Sequence, residues 1–170
     1  MPNWCENRLD IFGSRENLQK FMMDVNAQEL KGNNMEGEVL SFAKIRPQPK
    51  KLKDWYNWNI KNWGTKWDAS STACADWSNE PDKEMPLDDS PDKEKSILYD
   101  FLTAWGPPVS WIKYVAKKYP KLKFKLEYYE GGCDFFGKYY VNNKEVILDE
   151  CTNTEGMTHE EKVSWGIEEE

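Results

Sequence analysis

Asn62, Lys66 and Asp68 stand in the stretch NWGTKWD, beside Trp63 and Trp67. An amide, an ammonium and a carboxylate among indole rings are the parts of a stacking and hydrogen-bonding pocket, which suits a base or a nucleotide. Trp105 and Asn7 add two further contact candidates of matching type. The competing reading is packing. In that reading Trp55, Trp58, Trp63 and Trp67 cover a sheet face, and Lys66 pairs with Asp68 at the rim for about 0–1 kcal/mol. Gly64 has a backbone task in either case, closing a helix in a left-handed turn.

Catalysis needs a base and a nucleophile in one place. Asp10, Asp68, Asp100, Glu127 and Asp134 are the available carboxylates, and Asp100 sits inside an apolar run, where burial raises a carboxyl pKa unless it is paired. No nucleophile motif or metal triad accompanies them. The only histidine, His159, lies in a polar tail, so nucleophilic catalysis has little to draw on. Cys5, Cys74, Cys133 and Cys151 are far apart with no CxxC pair. That spacing argues for reduced thiols rather than a zinc site or a disulfide framework. The expectation is a protein without catalytic residues, cofactor or metal. One anion site is conceivable on sequence order. Gly13-Ser14 and TAWGPP each precede a helix, and if both lie at the same sheet edge their free amides can converge. The simpler role for Ser14 is to cap its own helix.

The elements that must position these residues follow from periodicity. Residues 3–12 alternate, with Leu9 and Ile11 on one face and Arg8, Asp10 and Phe12 on the other, as a strand does. Leu18, Phe21, Met22 and Val25 then recur at helical spacing. VLSFAKI (39–45) reads as a second strand stopped by Pro47 and Pro49. Asp54 caps a short aromatic helix that runs to Trp63. SILYDFLTAW (96–105) reads as a central strand buried on both faces. PPVSWIKYVAKKYP follows as a helix, with Val109, Ile112, Val115 and Ala116 inward. LKFKLEYYE alternates again, and Gly131-Gly132 and Asn142-Asn143 turn the chain into a terminal hairpin. The order βαββαβ is the ferredoxin-like arrangement, an α+β antiparallel sheet with two helices on one face. Residues 1–150 are expected to form this domain. A Trp-rich insertion (48–95) is expected between the second and third strands, and 151–170 as a tail.

Charge is uneven along the 170 residues. The net charge is −7, of which 76–94 contribute −6 and 149–170 contribute −7, leaving the rest at +6. Such acidic blocks are usually solvated chain. Read functionally, Asp82, Glu84, Asp88, Asp89 and Asp92 are acidic contact candidates for a basic partner surface. Lys113, Lys117, Lys118, Lys121, Lys123 and Lys125 form the opposite feature, a basic strip. Overall acidity counts against strong nucleic-acid binding, which rests on phosphate contacts. No apolar run approaches the length of a membrane span, and the N-terminus has no signal pattern, so a soluble cytoplasmic protein is expected.

Four phrases occur together in this sequence: MPNWCENRLDIFG, NWGTKWDA, YDFLTAWGPPVSWI and LEYYEGGCDFFGKY. Together they resemble the YubB-like family of small proteins from phages, plasmids and genomic islands, over most of residues 1–150. The resemblance implies a ferredoxin-like domain and a bacterial mobile-element origin, and it supplies no catalytic residues. With the acidic blocks, it leads to the expectation of an accessory protein that binds a host protein, as an inhibitor of a CRISPR- or restriction-type defence complex. A nucleotide or single-stranded nucleic-acid binder using the Trp-rich segment is the alternative.

Overall fold

Strand β1 (Trp4–Gly13) shows why the sheet has two unlike faces. Cys5, Asn7, Leu9 and Ile11 point to a layer of helices and are fully or nearly fully buried. Glu6, Arg8 and Asp10 point the other way, as period-two alternation requires. The computed structural model describes residues 2–75 and 95–169. β1 is central. It pairs antiparallel with β5 (Lys95–Ala104) on one side and with β6 (Lys123–Glu130) on the other. The six-stranded sheet has the order β4-β5-β1-β6-β7-β8, with β4 Ser70–Ala75, β7 Phe135–Asn142 and β8 Glu145–Thr152. Its first four strands, with helices α1 (Arg15–Val25) and α4 (Val109–Lys118), give the order expected of βαββαβ. The terminal hairpin β7–β8 continues the sheet beyond β6.

Ser14 accepts the Asn17 N–H at 3.3 Å and starts α1, which buries Leu18, Phe21 and Val25. Helix α4 buries Ile112, Val115 and Ala116 as expected, and also Trp111. The core between helices and sheet is aromatic, with Phe21, Tyr99, Phe124, Phe42 and Trp111 fully buried. Phe42 and Trp111 lie 4.7 Å apart between ring centroids.

The second strand is misplaced by the sequence pattern. Residues 39–45 are not a strand: Phe42–Ile45 form a short helix, α2. A run of seven mixed residues has no periodicity long enough to separate the two states. The second strand of the sheet is β4, so the Trp-rich segment precedes that strand rather than following it. Residues 29–36 carry a small hairpin, β2 (Glu29–Lys31) and β3 (Asn34–Glu36). The acidic residues Asp82, Glu84, Asp88, Asp89 and Asp92 lie outside the described residues.

β5 is not buried on both faces. Asp100 is exposed, and Leu98 and Leu102 are half-buried on the face away from the helices. Trp55, Trp58, Trp63 and Trp67 do not cover that face. Instead the chain after 152, expected as loose acidic tail, folds back over it as helix α5 (His159–Ser164). Thr158 and Glu161 make a reciprocal capping box. The Arg8 guanidinium donates to Ser164 Oγ (2.6 Å) and Ser164 O (2.8 Å), and lies 4.0 Å from the Trp165 ring. Lys138 pairs with Glu161.

Candidate functional site: an aromatic edge around one lysine

The residues of NWGTKWD separate into structural and outward-facing sets. Asp54 caps α3 (Trp55–Asn62), accepting the Asn57 N–H at 3.2 Å. The helix ends at Gly64, whose φ of +89° is one that a side chain would strain. A Cβ there would also meet Pro107 O at 2.9 Å, so α3 stops hard against the turn between β5 and α4. Trp63 turns inward. It is 3% exposed, donates Nε1–H to Arg46 O at 3.0 Å, and packs edge-on to Phe42 and Trp58. The Asn62 amide turns back to its own helix, donating to Trp58 O at 2.8 Å.

Asp68 is a cap for another element. Its carboxylate accepts the Phe42 N–H (2.5 Å), the Ala43 N–H (3.2 Å) and the Ser41 hydroxyl (2.7 Å). Ser41 precedes α2 but makes no side-chain cap itself, so a carboxylate from 26 residues later in the chain closes the helix start. The expected Lys66–Asp68 pair therefore does not form. Asn7 is likewise structural: it is buried, and its amide donates to Cys5 O and to Thr103 Oγ1 at 3.0 and 2.8 Å.

Lys66, Trp67 and Trp105 face outward together. The Lys66 N–H reaches Ala104 O at 3.4 Å, and its carbonyl accepts from the buried Asn59 amide at 2.8 Å, so its backbone is held at the end of β5. Its ammonium lies 4.6 Å from the Trp67 ring and 4.6 Å from the Trp105 ring. Trp105 holds a φ of +75°, unusual for a residue with a side chain, while its N–H bonds Asn3 O at 2.9 Å. Around this pair the aromatic contacts continue. Trp4 lies 6.1 Å from Trp67, Tyr56 5.9 Å from Trp105, and Trp55 6.0 Å from Tyr56. All five rings are 37–45% exposed. They form one chain of contacts along one end of the sheet, with a cation inside it.

The chemistry available is stacking, apolar contact and charge. A cation over an exposed indole is worth about 0.5–1 kcal/mol, more once water is removed. Contiguous exposed aromatics on a folded surface mark interaction sites more often than ordinary surface. Asp68 and Asp54, the first acids on either side of Lys66 in sequence, are occupied by their helix caps. No ion pair to Lys66 exists among the described residues.

Trp4, Tyr56 and Trp55 were missing from the site expected from sequence. The cause is strand direction. β1 and β5 are antiparallel, so Trp4 lies opposite Ala104 and Gly13 opposite Lys95. Gly13-Ser14 and TAWGPP are therefore at opposite ends of the sheet and cannot share an anion site, and Ser14 has the simpler role of capping its own helix. The same register brings the start of β1 beside Trp105. Antiparallel pairing of the first and third strands was the signal that would have found Trp4.

The remaining candidates are scattered. Asp10, Asp100 and Glu127 line a groove of about 600 Å³ on the face away from α1 and α4, with Glu6, Arg8 and Trp165. Asp134 accepts the Thr154 N–H at 3.1 Å and tethers the chain leading to α5. Lys113, Lys117 and Lys118 are exposed on α4, whereas Lys125 bridges to Glu127 at 3.3 Å, so they do not form one strip. His159 meets Glu168 at 3.0 Å, remote from the aromatic edge. Among the described residues, no grouping of three or more His, Cys, Asp or Glu is arranged to hold a metal. No helix there is long and apolar enough to cross a membrane.

Residues 86–165 match the family model described as the ferredoxin-like domain in Api92-like protein. The domain is ferredoxin-like. A crystal structure of protein api92 from Yersinia pseudotuberculosis superposes with a TM-score of 0.63, covering 91% of this chain and 99% of that one, at 8% identity. At that identity the likeness is one of fold. None of the curated proteins compared matches the sequence. Within the ferredoxin-like frame the matched residues run through β5, α4, β6, β7, β8 and α5. They include Trp105 but not Trp4, Lys66 or Trp67.

Proposed function

We propose that this protein is a binding module rather than an enzyme, and that it docks a partner protein on the aromatic edge. The observation that carries this reading is the run Trp4, Trp67, Trp105, Tyr56 and Trp55, all partly exposed, in two sets of ring contacts that the Lys66 ammonium joins between Trp67 and Trp105. Tryptophan and tyrosine are the side chains that dominate the energetic centres of protein interfaces. Here they are held by fixed elements: β1, the end of β5 and helix α3. Little ordering is then needed on binding, which favours affinity.

The finer reading rests on the resemblance to mobile-element proteins and on charge. In it the protein is a phage or plasmid accessory factor in the bacterial cytoplasm that inhibits a host defence complex of CRISPR or restriction type. Its acidic residues would lie against a basic surface of that complex. Nucleotide binding is the weaker reading of the same edge, because the Lys66 ammonium already lies against both Trp67 and Trp105.

The test is affinity capture from a bacterial host with the full chain and with a Trp67→Ala/Trp105→Ala variant. A partner recovered by the wild type and lost by the variant supports the reading, once the purified pair shows at least a hundredfold difference in Kd. Equal affinity of the two for that partner would place the docking surface elsewhere.

A further inference from the structure

We infer that the partner segment seated on the aromatic edge carries an acidic side chain that pairs with Lys66. This inference rests on the docking reading above and adds the chemistry of the segment. Lys66 is fixed at both backbone groups, by Ala104 O and by the Asn59 amide, so its stem leaves from a set position. Its ammonium has three donors, and the faces of Trp67 and Trp105 occupy two directions around it. In the third direction no described carboxylate pairs with it, and half-buried Lys66 keeps part of its surface open to water.

Any partner that covers these rings also strips that water. Burying an ammonium without a counter-charge is costly, and the two indole faces offset only part of that cost. A partner that brings an anion to the same spot therefore binds more tightly than one that does not, and the attraction strengthens as water leaves. The anion fits a carboxylate of a protein segment better than a nucleic-acid backbone. A backbone of phosphates gains affinity from several cations in register, whereas the edge offers one, on a chain of net charge −7. Apolar or aromatic residues flanking the acid would meet Trp4 and Tyr56. The edge thus fits an extended peptide segment with one Asp or Glu between apolar neighbours.

The experiment is a selection of phage-displayed random peptides on the full-length protein. Selected peptides are then measured against wild type, Lys66→Ala and Trp67→Ala/Trp105→Ala, with thermal melts confirming that the variants are folded. Enrichment of one Asp or Glu position is expected. Changing that acid to its amide should weaken binding to wild type at least about tenfold, and to Lys66→Ala by less than about twofold. Two results would overturn the acid–lysine pairing and leave aromatic docking standing. One is peptides that need the tryptophans but carry no acid. The other is an acid whose loss weakens binding to wild type and Lys66→Ala equally. A selection yielding no peptide that depends on Trp67 and Trp105 would sink both readings. An oligothymidylate that displaces the selected peptides from wild type but not from Lys66→Ala would assign Lys66 to phosphate instead.

Discussion

Replacing Asp68 with alanine should destabilise the fold while leaving the outer face of the aromatic edge intact. The carboxylate takes the Phe42 and Ala43 N–H groups and the Ser41 hydroxyl, and it also accepts its neighbour Ala69 N–H at 2.7 Å. Ser41 is buried, and α2 seats two core residues, Phe42 and Ile45. Loss of a helix cap costs about 0.5–2 kcal/mol, and a hydrogen bond to a charged group is worth about 1.5–3. The bonds share one carboxylate and do not add, so about 3 kcal/mol is the expected total. For a chain of this size, about 1 kcal/mol moves Tm by roughly 2–4 °C, which predicts a drop of about 6–12 °C. Thermal and urea unfolding followed by circular dichroism would measure it. Asp68→Asn, which keeps one acceptor oxygen, should lose roughly half as much. A variant that melts within about 1 °C of wild type yet no longer binds its partner would refute the cap assignment and return Asp68 to the contact surface.

Three further outcomes follow from the same geometry. Trp63→Ala should cost about 3–5 kcal/mol in urea unfolding, whereas Trp67→Ala or Trp105→Ala should cost about 1 kcal/mol or less, because only Trp63 fills core volume. Arg8→Ala removes both hydrogen bonds to Ser164 and the stacking on Trp165. Amide exchange across 159–165 should accelerate at least about tenfold, while β1 and β5 stay protected. Cys133 and Cys151 should be alkylated at once near pH 8, as both are exposed. Cys5 should stay unlabelled until the protein unfolds, because burial pushes its thiol up to about 12; mass spectrometry of pulse-labelled peptides distinguishes them.

The parts of the fold readable from sequence were those with long, regular periods. The alternation in β1 and β6 and the helical stripe of Leu18, Phe21 and Val25 each persist long enough to exclude the other state. The second strand was not readable for two opposite reasons. VLSFAKI is apolar enough for a strand, but its last four residues become a helix because Asp68, distant in sequence, supplies the cap. SSTACA is too polar and small to announce itself. It is an edge strand with every second residue exposed, paired on one side only and shifted in register between Ser70 and Ala73. The tail after 152 was misread because its acids outnumber its apolar residues. Trp165, placed against Arg8, Tyr129 and Phe136, holds it on the sheet together with buried Met157 and the contacts of Ser164 with Arg8 and Glu161 with Lys138.

The site was legible in residue type but not in membership. NWGTKWD contains a core ring, a helix stop, a cap for another helix and two surface contacts within seven residues. Composition alone cannot divide them, because indole, carboxylate and amide suit either role. What divides them is where α3 ends. Gly64 closes the helix against Pro107, and the Lys66 N–H then reaches Ala104 O at the end of β5, which leaves Thr65 buried and Lys66 and Trp67 together at the edge. The strained turn at Trp105 points the same way. A left-handed residue with a large side chain costs of order 1 kcal/mol, and leaving its ring nearly half exposed forgoes burial energy as well. A glycine would remove the backbone cost, and a polar side chain would lose nothing in the free protein. Covering the ring would recover the burial energy, which is in keeping with the docking proposed for this edge.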